Sequence, residues 1–509
     1  MSSPKYPWVC VDEQPSSSSK ACWTCRKKRL KCDGCLPTCF KCKSAGRECL
    51  GYSPNKPLVW AGGVASRGKM MGRSFENSQA TAPSTDLQLG SPVQPVTTTI
   101  LDPVLQDLSP QFRQYLFYYL HRCCVECTLY EDDSRNRFKE FLALVPSNPV
   151  LIHSLIAVSA SHQAQAGASI PHASSRPAIL DGTAPDCDSL TRYDKLYLTQ
   201  HSDALTHSTI GMGALREGLA STDCSDASVA AVFLLIWVDI MDSGKTSWKY
   251  HLEGLKVLIS LRRSLGDLLD TTANSNLAFQ KWFEETFAVL SIFGSTFNPK
   301  MLQLLDVLPW PELDIILKRA ETHSWTGCPS DLMLILHSFN VLSSGTVQPP
   351  TPYVSQSFVR LRDFDCAHWA SKCPQPSSAY ARHSLAEVWK ASIEIYGRRV
   401  LGGQFPSFQE VPSDLVETAL FHLGQIDHHD THFKGTVWPA FVVGAESRTA
   451  QQRQIVLDIF EHLIRYLRLA VLHIARAQLE RIWARSSPYP PGESWVHDIW
   501  QRGEGLLLV

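Results

Sequence analysis

Between positions 22 and 49 the chain places six cysteines at the spacing C-x2-C-x6-C-x6-C-x2-C-x6-C: Cys22, Cys25, Cys32, Cys39, Cys42 and Cys49. Adding 17 to the first three positions gives the last three, so the segment is two copies of C-x2-C-x6-C joined by a short loop. Two cysteines three apart can turn their sulfurs onto one ion at about 2.3 Å, and six residues later the chain can return a third. A structural zinc takes four thiolates, whereas each copy supplies three. Six sulfurs serve two zinc ions at four each when two sulfurs bridge. The other reading, one four-cysteine zinc with spare thiols, leaves the repeat unexplained. A segment this short buries almost no apolar core, so its folding free energy must come largely from metal.

The formal net charge of −1 names no partner by itself. Its distribution does. From Lys20 to Cys49 there are nine basic residues (Lys20, Arg26, Lys27, Lys28, Arg29, Lys31, Lys41, Lys43, Arg47) and two acidic ones (Asp33, Glu48), a net +7 that leaves −8 for the rest. A basic head on an acidic body is the asymmetry of a nucleic-acid binder. Five of the six residues between Cys25 and Cys32 are basic, while the matching stretch of the second copy, Lys43 to Glu48, is far less so. The first copy is therefore predicted to present the groove-facing helix, with the basic run inside a short helix held at both ends by zinc. Guanine offers O6 and N7 acceptors in the major groove, which Lys and Arg donors match. A generic basic patch or nuclear import signal is the alternative use of the same residues.

The text ACWTCRKKRLKCDGCLPTCFKCKSAGREC resembles the fungal zinc binuclear cluster (Zn2Cys6) transcription factors. The resemblance implies two zinc ions bridged by Cys22 and Cys39. One ion would take Cys22, Cys25, Cys32 and Cys39, the other Cys39, Cys42, Cys49 and Cys22. It also implies a nuclear protein that binds double-stranded DNA at short CGG-like triplets and regulates RNA polymerase II transcription. Carried over by position, Lys28 and Arg29 contact base edges. Arg26, Lys27, Lys31, Lys41 and Lys43 contact phosphates, which position the module without specifying sequence. Cys35 departs from the family pattern and fits neither copy, so it is expected not to be a ligand. RING and LIM modules, which bind protein, have other spacings. Family members often dimerise through a coiled coil after the last cysteine. Residues 50–100 show no sustained heptads, which leaves monomeric binding and a homodimer formed through the large domain both open.

A chain of 509 residues exceeds one core. The expected organisation is a disordered N-terminus (1–19), the DNA-binding domain (20–50), a basic and low-complexity linker (51–100) containing Trp60, and a regulatory domain (101–509). The fold class is mainly α: a small binuclear zinc-cluster domain plus a large all-α domain of helical hairpins. Ser109 followed by Pro110 marks a helix start, and a second helix follows Pro149. Further helices are predicted near 190–220, 225–242, 247–263, 276–294, 384–400, 412–424 and 450–486. Residues 100–500 resemble the fungal-specific regulatory domain through LSPQFRQYLFYYL, NPVLIHSLIAVSASHQAQ and SWKYHLEGLKVLIS. In some relatives that domain binds a small lipid, so a small-molecule or lipid sensor controlling the head is the competing reading.

No apolar leader opens the sequence, and the longest apolar run, Val229–Val238, is too short to span a bilayer. The chain reads as soluble and intracellular, with no membrane partner, and its sixteen cysteines read as thiols or metal ligands, not disulfides. Asp427, His428, His429, Asp430 and His432 would suit a second metal, although a hydrophilic loop is the commoner outcome and the favoured one. Cys123, Cys124 and Cys127, on the helix from Ser109, are expected to fill core, as are Phe233 to Trp237. The nucleophile-elbow, P-loop, zinc-protease and dinucleotide motifs are missing, so the chain is not expected to be an enzyme.

Overall fold

The computed structural model describes residues 20–53, 108–130, 136–145, 148–168, 192–220, 223–242, 247–268, 274–322, 324–345, 351–373, 375, 378–503 and 505–509. The expected N-terminal tail and all of the linker beyond residue 53 lie outside them. The chain divides into two compact units, 1–98 and 99–509.

The first unit holds two short helices, α1 (Trp23–Lys27) and α2 (Phe40–Ser44). Both begin on a cysteine. Cys22 Sγ accepts the Cys25 amide at 3.4 Å, and Cys39 Sγ accepts the Cys42 amide at 3.3 Å, the place a serine or aspartate usually takes at a helix start. Both end in a left-handed residue, Arg29 (φ 55°) and Gly46 (φ 58°). Leu30 N then bonds Cys25 O at 2.9 Å, and Arg47 N bonds Cys42 O at 3.0 Å, the six-to-one closure of a Schellman turn. Every one of these pairs repeats at the 17-residue interval. The structure corrects the extent of the first helix. Only Arg26 and Lys27 of the basic run are helical; Lys28 is the cap, and Arg29 to Lys31 follow the turn. The helix must stop there so that the chain can double back and deliver Cys32.

The second unit is helical, with no strand among its described residues. It opens with α3 (Pro110–Tyr118), α4 (Arg137–Leu144), α5 (Pro149–Ala168), α6 (Arg192–Ala220), α7 (Asp226–Asp242), α8 (Trp248–Leu268) and α9 (Asn274–Phe297). Four shorter helices follow: α10 (Trp310–Ala320), α11 (Ser330–Ser343), α12 (Thr351–Asp363) and α13 (Cys366–Ser371). The remainder is α14 (Ala379–Leu401), α15 (Ser413–Gly424), α16 (Val437–Glu446), α17 (Ala450–Leu467), α18 (Ala470–Ala484) and α19 (Trp495–Arg502). Ser109 Oγ caps α3 by accepting the Phe112 amide at 3.2 Å. Beyond Tyr118 the chain widens into a π-helical turn, Tyr119–Cys123, before a last turn at Cys124–Glu126. α5 and α6 run antiparallel, since His153 meets His207 while Gln163 meets Gln200.

The core lies where helices are apolar on all sides. Ala227 to Val238 of α7, Trp282 to Phe297 of α9 and all ten residues of α16 are buried. Trp389 of α14 stacks on Trp438 of α16 with ring centres 5.4 Å apart. Gly397 lets α14 meet α11, for a Cβ there would sit 2.5 Å from the Phe339 ring. Polar ties cross this core. Arg399 holds Glu446 through two hydrogen bonds of 2.5 and 2.6 Å, and Trp495 Nε1 donates to the same carboxylate at 2.7 Å. Tyr396 donates to Asn340 Oδ1 at 2.7 Å. Leu506 to Val509 are buried, and Trp248 Nε1 donates to Gly505 O at 3.0 Å.

Two differences from the periodicity reading have identifiable causes. The helix expected over 450–486 is broken at Arg468, whose φ of 57° ends α17 and whose guanidinium donates to Tyr118 OH at 2.9 Å. Helices α10 to α13, α16 and α19 fall outside the predicted set, although α10 and α19 are strongly amphipathic. The first four are short pieces, two of them starting at Pro309 and Pro329, and α16 is buried on every side.

Candidate functional site

The sulfurs form the centre of the first unit. Cys22, Cys25, Cys39 and Cys42 are buried, and their sulfur atoms all lie within 4.8 Å of one another. The measured separations are 3.7 Å for Cys22–Cys39, 3.8 Å for Cys22–Cys42, 3.7 Å for Cys25–Cys39 and 4.0 Å for Cys25–Cys42. Four thiolates at about 2.3 Å from a tetrahedral zinc are about 3.8 Å apart, so the sulfurs present fit the metal. Cys32 and Cys49 close the two sides of the cluster as half-buried neighbours. Cys32 lies against Cys25 and Cys39, and Cys49 against Cys22 and Cys39. Each of the four buried sulfurs touches a sulfur of the other copy, so the two copies share one sulfur core. Cys35 stands outside the tetrad, its thiol toward Asp33.

The electrostatics divide the same way. Burial pushes the Cys22 thiol up to about 12 and raises Cys25 and Cys39 as well. Burial opposes ionisation of Cys32 too, but the amides of Cys22 and Gly34 and the Tyr52 hydroxyl outweigh it and bring the thiol to about 7. Cys49 is lowered against its burial by the amides of Cys39 and Gly51. The donors again match at the 17-residue interval. A buried set of high-pKa thiols ionises only against a cation, which is a second reason the residues suit a metal.

Two residues that the spacing did not single out hold this arrangement. Asp33 accepts the amides of Cys35, Phe40 and Lys41, all at 3.1 Å. The Cys35 amide leads in keeping the carboxyl below its ordinary range, and the carboxylate ties the inter-copy loop to the start of α2. Tyr52 OH donates to Cys35 O at 2.8 Å and lies 3.8 Å from Cys32 Sγ. Trp23 N and Nε1 donate to Gly51 O and Ser53 O at 3.0 and 2.8 Å, so residues 51–53, counted with the linker by the spacing, pack onto the head.

Arg26, Lys27, Lys28, Arg29, Lys31, Lys41 and Lys43 are all exposed. The sulfur core thus lies inside a shell of cationic side chains. Arg26 stacks over Trp23 at 4.4 Å from the ring centre. Arg29 occupies the left-handed position that its counterpart in the second copy fills with glycine. A non-glycine residue there costs roughly 1–2 kcal/mol.

The other candidates separate. Cys123 and Cys124 are buried in the body and Cys127 is half-buried. Phe233 to Trp237 are core. His432 is fully buried between Asp430, whose Oδ1 is 2.8 Å from Nδ1, and Tyr130, whose hydroxyl is 3.1 Å from Nε2. His428 and His429 remain exposed. No helix among the described residues is long and apolar enough to cross a membrane.

A metal-suited thiolate head with a cationic surface, carried by a large all-helical unit, defines the class of zinc-cluster transcription regulators. The family model of the fungal-specific transcription factor domain matches residues 114–509, and that of the fungal Zn(2)-Cys(6) binuclear cluster domain matches residues 20–57. The chain belongs to the fungal Zn(2)-Cys(6) transcription regulators. It is similar to the acriflavine sensitivity control protein acr-2 of Neurospora crassa, at 24% identity with 89% of each chain covered. It is also similar to the phomenoic acid biosynthesis cluster-specific transcriptional regulator of Leptosphaeria maculans, at 26% identity over 53% of this chain and 47% of that one. With white-opaque regulator 2 of Candida albicans it shares 58% identity over 31 residues, 6% of this chain and 7% of that protein. No solved structure gives a significant match.

Proposed function

We propose that this chain is a sequence-specific regulator of RNA polymerase II transcription that acts in the nucleus. Its head, built on residues 20–50 and closed by 51–53, reads CGG-like triplets of double-stranded DNA. The linker to residue 100 tethers the head to the regulatory body at 101–509. When bound, two zinc ions supply the charge that keeps six buried and half-buried sulfurs ionised, with Cys22 and Cys39 shared. Cys25, Cys32, Cys42 and Cys49 complete the two ligand sets. The turn that ends α1 presents Lys28 and Arg29 to guanine O6 and N7. Arg26, Lys27, Lys31, Lys41 and Lys43 neutralise phosphates and set the register.

The observation that carries this reading is the broken symmetry of the repeat. Two backbones superpose in their hydrogen bonds at an interval of 17, yet one turn carries Lys28-Arg29 and the other Ala45-Gly46. Retained strain at Arg29 points to a use for its side chain. The test is binding of the full-length protein to duplexes with and without CGG across a salt series. Lys28→Ala is expected to narrow the preference for CGG, and Lys41→Ala to weaken both duplexes equally and to flatten the salt dependence. Equal effects of the two changes would remove the base-contact assignment.

The sensor reading gains no support from the cavity beside the π-helical turn. That cavity, lined in part by Tyr119, Cys123, His162, Trp237 and Lys434, measures about 50 Å³. That is room for one or two waters.

A further inference from the structure

The loop after α15 carries Asp427, His428 and His429, all exposed, and one ligand atom from each lies within 4.8 Å of the others. His432, close in sequence, is turned inward and takes no part. A histidine from a different element lies beside the group, its ligand atoms outside that 4.8 Å set. His462 of α17 is half-buried, and its ring centre lies 4.6 Å from that of His428, which is 4.0 Å from that of His429. Imidazoles bound side by side to one ion through bonds of about 2.1 Å have ring centres about 5 Å apart.

His462 is held as a ligand would be. Its Nδ1 lies 2.8 Å from the Asp458 carbonyl oxygen. A carbonyl only accepts, so Nδ1 carries the proton, and in the neutral ring Nε2 is the lone pair. Fixing the tautomer through the far nitrogen is the usual support of a metal-binding histidine. Phe433 packs edge-on against the same ring. Beside these groups lies an open groove of about 530 Å³, whose polar lining is Gln425, Asp427, His428, Asp458 and His462. No lysine or arginine lines it, so the groove favours a cation.

We propose that Asp427, His428, His429 and His462 form a site on the regulatory body for a borderline divalent transition-metal ion, of which zinc is the probe, with the exposed His428 and His429 side chains turning toward the anchored His462 to complete it. Imidazole with carboxylate is a donor set for zinc, nickel and copper, and it differs from the all-thiolate head. The ion joins the loop after α15 to α17, which makes it a crosslink between two elements of the body. It binds the folded state more tightly than the unfolded chain, because only folding brings His462 beside the loop, and so raises the melting temperature with its concentration.

The test counts zinc on the full-length protein equilibrated at micromolar buffered free zinc, together with the melting temperature of the body. Wild type is expected to hold one zinc more than the head alone accounts for. His428→Gln combined with His462→Gln is expected to lose that one zinc and the zinc-dependent rise in melting temperature while DNA binding persists. Cys22→Ser with Cys39→Ser is expected to lose the head's zinc and DNA binding yet keep the body's ion, so failure of the head reading and failure of this site give different counts. His428→Gln alone, at an exposed position, is expected to weaken the body's ion at least tenfold. A wild-type count equal to that of the histidine double variant, an extra zinc that survives the substitutions, or binding only at millimolar zinc overturns the proposal.

Discussion

Replacing Arg29 by glycine is expected to move stability and DNA affinity in opposite directions. Arg29 has φ 55° and Gly46, 17 residues on, has φ 58°, so the backbone already accepts glycine in the equivalent turn. Relief of the left-handed penalty is worth roughly 1–2 kcal/mol. The greater freedom of glycine in the unfolded chain takes back roughly 0.5–1 kcal/mol. The net gain for the folded head is therefore about 0–1.5 kcal/mol. Loss of a guanidinium that reaches a base edge costs about 1–3 kcal/mol, or about five- to 150-fold in affinity for the CGG duplex. Stability is read as the denaturant midpoint of zinc release, which reports the head and not the helical body. Affinity is read by fluorescence anisotropy on CGG and scrambled duplexes. A variant that gains stability and still binds the CGG duplex as tightly as the parent would refute the idea that strain is kept at Arg29 for recognition. The reverse change, Gly46→Arg, is expected to lower the zinc-release midpoint by a comparable amount.

Stripping zinc with a strong chelator is expected to abolish DNA binding while the helical circular dichroism of the body persists, because the head lacks an apolar core to replace the metal. Glu446→Ala leaves the half-buried Arg399 guanidinium without its carboxylate and the buried Trp495 Nε1 without an acceptor; a loss of about 1–3 kcal/mol, measured by denaturant unfolding of the body, is expected. His337 is buried against Trp310, and burial pulls it down to about 4 from 6.5. It is neutral in the folded body, so its contribution is fully present above pH 6.5 and falls away as pH drops toward 4, by at most about 3 kcal/mol. His337→Leu is expected to flatten that part of the stability profile.

The sulfur count and the α class were legible in the sequence because both are local. Cysteine spacing sets which sulfurs a short turn can bring together, and the 17-residue repeat sets the pseudo-symmetry of the caps, turns and amide donors around them. Helices such as α5, α7 and α17 were legible because one long apolar pattern marks each. Residues that act across distance were not. Asp33 and Tyr52 are ordinary polar positions until the fold closes the head around Cys35. The break at Arg468 depends on Tyr118, 350 residues earlier in the chain. The histidine-rich loop shows the limit most plainly. By itself it reads as five adjacent ligands with no means of choosing among them. Packing turned His432 inward against Tyr130 and brought His462 of α17 alongside His428. Ligand geometry across elements is set by which helix faces meet, and that is decided by burial of the whole core.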